Sequence, residues 1–242
     1  MLEFAYMTGA AELRENLERV RERIERAAAR ARRSTDEITL IAVSKTHPAG
    51  MIRELHAAGV RHFGENRVQE WESKRPSLND LDATWHLVGH LQSNKASRAA
   101  SLFHSVDSVD SPVLGDRLAA AAAANPGRAP LRMLMEVKLD PAPAKSGADE
   151  EELSRLAEHL LGLAHVRLAG LMSVPPYCED PERVRPFFRR LCEQREALES
   201  RFGAGRLPVL SMGMSHDFEV AIEEGATEIR VGTALFGGRE KV

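Results

Sequence analysis

The chain has 242 residues, 43% hydrophobic and 29% charged, with a formal net charge of −3 at neutral pH. This slightly acidic balance gives no footprint for nucleic acid, and small basic clusters such as Arg30-Ala31-Arg32-Arg33 read as solvated helix ends. No apolar run approaches the roughly 18–20 residues of a membrane span, the first twenty residues lack the basic start and apolar centre of a secretory leader, and Cys178 and Cys192, which form no CxxC, fit a reducing cytoplasm.

A long helix is predicted first, over about residues 9–33, with Leu13, Leu17, Val20 and Ile24 at helical spacing. Eight apolar, β-rich segments follow, at 37–45, 60–66, 83–91, 102–108, 131–139, 166–174, 207–212 and 227–233. Helical stretches separate them, among them 49–58, 112–124, 149–163, 181–201 and 216–224. Alternating strands and helices predict βαβ units and a parallel sheet. Eight units predict a closed (β/α)8 barrel, a TIM barrel, over about 37–239, with an open doubly wound sheet as the alternative. The Pro/Gly-rich stretches NPGRAP and FGAGRLP are short and fall where helix-to-strand loops belong, so 1–242 reads as one domain.

Such barrels keep their chemistry at the C-terminal ends of the strands. The predicted strand ends carry Lys45, Glu65-Asn66, His90 with Gln92, HSVDS, KLDPAPAKSG, LMSVPPY, LSMGMS and RVGTALFGG. Lys45 closes the apolar run Leu40-Ile41-Ala42-Val43, although only six of the thirty-three basic residues are lysines. An amine among apolar strand residues is pushed toward its neutral form, which makes it a nucleophile for aldehydes. Near the last two strands, Ser211, Ser215, Gly232 and Thr233 combine hydroxyls with backbone amides, a composition that suits phosphate, and Ser215 reads as the N-cap of the following helix. Arg230 lies two residues before Gly232, on the same strand face, and a buried guanidinium there needs an acceptor: a carboxylate or a ligand's ring nitrogen. A lysine, a phosphate cradle and an arginine at one mouth suit an aldehyde-bearing phosphorylated heterocycle such as pyridoxal 5′-phosphate.

The segments LIAVSKTHP, FGENRVQE, WHLVGHLQSNK, LMEVKLDPAPAKSG, GLMSV and LSMGMSHDFEVAIEEGATEIRVGTALFG, over about residues 10–239, resemble the pyridoxal phosphate homeostasis proteins, relatives of the alanine racemase N-terminal barrel. The resemblance implies pyridoxal 5′-phosphate held as an imine on Lys45. It implies phosphate contacts from Ser211, Ser215, Gly232 and Thr233, with Arg230 at the pyridine nitrogen and Asn66 beside the cofactor. Lys145, in PAKSG, corresponds to a second cofactor contact of the family. The wording VKLDPAPA and the proline-rich GLMSVPPY depart from the family pattern.

Two functions compete. One is a cofactor carrier in vitamin B6 homeostasis, without robust catalysis, delivering to apo-forms of pyridoxal phosphate enzymes as a cytoplasmic monomer or weak dimer. The other is an amino-acid racemase, which needs a base on each face of the substrate carbon. Full alanine racemases supply a tyrosine from a second domain that this sequence is not expected to carry, and Tyr6 and Tyr177 are its only tyrosines. An arginine at the ring nitrogen also weakens the electron sink. A metal-dependent hydrolase using His86 and His90 would place both on one face of the third strand, but no acidic ligand cluster is read beside them, so no metal is expected. Trp71 and Trp85 read as core, and the acidic stretch 149–152 as a solvated helix start.

Overall fold

The computed structural model describes residues 9–125, 127–139 and 146–238; Tyr6 and Lys145 lie outside the described residues. Eight strands, β1 (Thr39–Val43), β2 (His62–Glu65), β3 (Thr84–Leu87), β4 (Ser105–Val109), β5 (Leu131–Glu136), β6 (Val166–Met172), β7 (Val209–Met214) and β8 (Glu228–Val231), pair in sequence order and close into a barrel. Every ladder is parallel, and closure runs through Ile41 opposite Arg230. The eight-unit alternation thus gives the closed barrel and not the open sheet.

Each predicted helical stretch contains a helix. They are α1 (Ala10–Arg30), α2 (Ala49–Ala57), α5 (Pro112–Ala123), α6 (Leu153–Leu161), α7 (Arg185–Phe202) and α8 (Phe218–Glu223). The helix expected where the eighth strand ends is α9 (Thr233–Phe236), and two further short helices, α3 (Val68–Lys74) and α4 (Ala96–Leu102), were not foreseen. Helix α1 buries Leu13, Leu17, Val20, Ile24 and Ala27, spaced three or four apart, so they form one stripe. That stripe packs on α2, α8 and α9, across the seam where β8 meets β1. Burying a side chain the size of Leu17 contributes about 1.5–3 kcal/mol, so Leu17→Ala is the change that would loosen the seam most directly.

Side chains alternate along each strand, and the two faces differ in chemistry. Ala42, Phe63, Trp85, Val106, Met133, Leu168, Leu210 and Ile229 face the helices and belong to the main apolar core, where Trp71 of α3 stacks on Trp85 with ring centroids 3.8 Å apart. The opposite face, lining the barrel, is polar at its lower end. His62 Nδ1 lies 3.1 Å from His86 Nε2, and His86 Nδ1 lies 3.2 Å from Asp107 Oδ2. The Ser105 hydroxyl donates to Asp107, and Arg132 pairs with both Glu228 oxygens at 2.7 and 2.8 Å. Burial lowers His62 to a pKa of about 4, with His86 and Arg132 pushing the same way.

This floor corrects one reading. His86 does have acidic neighbours, since ligating atoms of His86, Asp107 and Glu228 lie within 4.8 Å of one another. His90 is not among them. It follows the end of β3, at the opposite end of the barrel, with Nδ1 3.7 Å from Asp110. Arg132 pairs with Glu228 and lies near Asp107, which is itself bonded to His86, so these three side chains already have partners within the floor.

Candidate functional site

A cavity of about 460 Å³ opens at the C-terminal ends of the strands, within the range of small-molecule sites. Lys45 enters it from two residues beyond β1, Asn66 from just beyond β2, and Ser215, Gly232 and Thr233 from the ends of β7 and β8. Arg230 reaches it from inside β8. Six of the seven expected residues among those described therefore meet in one place.

Local backbone needs explain how they meet. A Cβ on Gly89 would sit 2.4 Å from the Asn66 carbonyl oxygen, so only glycine lets the β3 end close on the β2 end that carries Asn66. Gly213 adopts φ +90, where a side chain would strike Ala221 and Phe218; this left-handed residue turns the end of β7 into the loop that presents Ser215.

Ser215 is not the cap of α8, as expected. Asp217 holds the N-cap position, its Oδ1 accepting from Met214 N at 2.6 Å. The Ser215 hydroxyl oxygen instead accepts from the backbone amides of Gly232 and Ala234, each at 3.2 Å, and so ties the β7 loop to the start of α9. Its own proton remains available to an acceptor in the cavity.

Ser211 is the expected residue that does not line the cavity. It pairs with Glu228, a layer below Arg230, and is fully buried. Its role is to orient Arg230, which donates to Ser211 O at 2.6 Å, to Ser211 Oγ at 2.8 Å and to Ser173 O at 2.8 Å. Arg230 is 4% exposed, and its hydrogen-bond acceptors among the described residues are these neutral groups, with no carboxylate in an ion pair. Burial lowers its pKa, against the opposing pull of Asp107, Asp217, Glu136 and Glu228.

Glu136 was not foreseen. It ends β5, lines the cavity and is 6% exposed; Oε1 accepts from Ser146 Oγ at 2.9 Å, while Oε2 has no partner among the described residues. Burial raises its pKa. The signal was in the sequence: Glu136 closes the apolar run of the fifth strand as Lys45 closes the first. His47 also lines the cavity, its ring stacked on Phe236 at 4.5 Å. Tyr177 does not: it is 76% exposed, and its ring lies 5.4 Å from that of His216 at the rim.

The architecture and this mouth define a class, the (β/α)8 barrels with a lysine at the end of the first strand. The alanine racemase N-terminal domain family matches residues 15–240. Over 226 residues the chain is 45% identical to the pyridoxal phosphate homeostasis protein of Aquifex aeolicus, covering 93% of this chain and 98% of that protein. It is 43% identical to the protein of the same name from Pseudomonas aeruginosa, covering 93% and 95%. Among solved structures, PipY of Synechococcus elongatus with PLP bound superposes with a TM-score of 0.82 at 42% identity, covering 93% of this chain and all of that one. An alanine racemase of Clostridium difficile shares the fold alone, at TM-score 0.69 and 14% identity over 95% of this chain and 57% of that one. The chain belongs to the pyridoxal phosphate homeostasis protein family, within the alanine racemase N-terminal domain fold.

Proposed function

We propose that this protein binds pyridoxal 5′-phosphate covalently through Lys45 and serves as an intracellular store and carrier of it. The observation that carries this reading is one cavity that holds both an amine and a cluster of hydroxyl and amide donors. The fit is chemical as well as spatial: a buried Glu136 oxygen without a partner among the described residues and the Ser215 proton both suit a polar ligand. When bound, the cofactor supplies an aldehyde that condenses with a primary amine and releases water. Lys45 provides that amine. The hydroxyls of Ser215 and Thr233 and the amide of Gly232 would hold the phosphate oxygens. Arg230, fixed by Ser211 and Ser173, would face the ring, with Asn66 beside it. Lys145 is proposed as a second contact.

Carrier is favoured over racemase on two counts. Tyr177, the described tyrosine, lies outside the cavity, so the tyrosine base of full racemases has no counterpart among the described lining residues. A permanently charged arginine beside the ring disfavours the protonated pyridine that carbanion chemistry needs. The relatives' common name accords with this reading.

The test combines three measurements on one preparation. Borohydride reduction of cofactor-loaded protein, followed by peptide mapping, should place the label on Lys45. The loaded protein should restore activity to an added apo-enzyme, and with L-alanine it should racemise no faster than free cofactor. A label only on another lysine refutes the site. Robust racemisation lost in Lys45→Ala, with no transfer, refutes the carrier.

A further inference from the structure

Lys45 follows β1 at a point where the chain must turn, and both of its neighbours are tied to α3. The ammonium of Lys74, the last residue of α3, donates to the Ser44 carbonyl at 2.9 Å, to Glu65 Oε1 at 2.9 Å and to Glu70 Oε1 at 2.7 Å. These three bonds use all the protons an ammonium has. The same Glu70 oxygen accepts the backbone N–H of Thr46. Thr46 stands at φ +67, a left-handed conformation that β-branched residues avoid. Glu65, fully buried at the end of β2, also accepts from the Ser44 hydroxyl at 2.7 Å. The residues before and after Lys45 are thus held from behind the sheet by one ionic group, and the Lys74 side chain is only 11% exposed.

We infer that Lys74 and Glu70 form a clamp that aims Lys45, making them positioning residues for covalent capture of the aldehyde. The inference rests on the reading that Lys45 carries the cofactor. A surface ion pair between adjacent helical turns would need no contact with the strand end, yet here one ammonium reaches a backbone carbonyl of β1's extension and one carboxylate reaches the next amide but one. Thr46 keeps its strained turn because Glu70 satisfies its N–H there. Held this way, the Lys45 stem leaves the backbone in a fixed direction toward the cavity, and the amine meets an aldehyde at high effective concentration. Neither Lys74 nor Glu70 lines the cavity, so the effect passes through Lys45 and not through contact with ligand.

The experiment compares two ligands that share ring and phosphate. Pyridoxal 5′-phosphate can be captured by Lys45; pyridoxamine 5′-phosphate has an amine in place of the aldehyde and cannot. Wild type, Lys74→Met, Glu70→Ala and Glu70→Gln are titrated with each, following imine absorbance for the first and calorimetry for the second. Lys74→Met and Glu70→Ala should lose at least about tenfold in affinity for the aldehyde and change by less than about twofold for the amine. Glu70→Gln, whose side-chain oxygen still accepts from Thr46, should stay close to wild type. If Lys74→Met fails to fold, the two variants at Glu70, whose side chain is 23% exposed, decide. Unchanged aldehyde affinity in folded Glu70→Ala, or equal losses for both ligands, overturns the clamp. Absence of an imine in wild type overturns the cofactor reading first, and this inference with it.

Discussion

The floor of the barrel makes the stability of this protein depend on acid in a way that one substitution isolates. His62 has its pKa lowered to about 4, first by burial and then by His86 and Arg132. An unfolded histidine titrates near 6.5. Between these values the unfolded chain holds a proton that the folded chain refuses, so stability is full above about pH 6.5 and falls as the pH drops toward 4. At pH 5 linkage gives a loss of about 2 kcal/mol from this ring; because it is only part-buried, solvent screening reduces this to about 1 kcal/mol. His104, also lowered by burial, adds in the same direction. Glu65, Glu136 and Asp217, whose values burial raises, oppose it, because the folded state keeps protons the unfolded state releases. Wild type alone therefore does not isolate the histidine. Urea denaturation of wild type and His62→Gln at half-unit steps from pH 4.5 to 8 does, since glutamine can still bond to His86 but does not titrate. The stability difference between the two should move by about 1 kcal/mol in favour of the variant as the pH falls from 7 to 5. A difference that stays flat across this range would refute a neutral, part-buried His62.

Two further outcomes test the mouth. Ser215→Ala with Thr233→Val removes two hydroxyls from the proposed phosphate cradle; at about 1.5–3 kcal/mol for a bond to a charged group, pyridoxal 5′-phosphate should bind at least about tenfold more weakly while unphosphorylated pyridoxal is barely affected, as read by equilibrium dialysis. Glu136→Gln replaces a carboxyl whose pKa is raised by burial, so the stability it contributes is present when protonated and lost as the pH rises through its folded value. The variant should melt above wild type at pH 8, with the gap narrowing toward pH 4.5, and a gap independent of pH would contradict a buried carboxyl there.

Much of this was legible from residues alone, because strand ends announce themselves. Lys45 and Glu136 each interrupt an apolar run, and a charge in that position is costly unless a cavity or partner uses it. The rule found the first and passed over the second, for want of a lysine's distinctive chemistry. Ser215 was misread because N-cap logic looks two or three residues ahead, whereas its hydrogen-bond partners are 17 and 19 residues away on the neighbouring strand's exit. Ser211 was misplaced because the seventh strand was expected to end at 212, whereas β7 runs on to Met214 and leaves Ser211 inside the strand, below its end. The floor was out of reach, since His62, His86, Asp107, Arg132 and Glu228 come from five strands and only barrel closure brings them together. The short helices α3 and α4, seven residues each, have too few turns to show a periodic stripe.

That ionic floor has a topological consequence. A barrel packed shut at one end by paired charges is a cul-de-sac: whatever enters between Lys45 and Thr233 leaves by the same opening, past the rim where His216 and exposed Tyr177 stand. Loading and unloading are then mutually exclusive events at one doorway. An acceptor that collected cargo directly would have to occupy that doorway, and would shield the aldehyde from bulk solvent during the exchange. The release rate from the isolated protein and the transfer rate to a recipient thus become separable quantities, and a transfer faster than spontaneous release would be the kinetic signature of a lidded encounter at this rim.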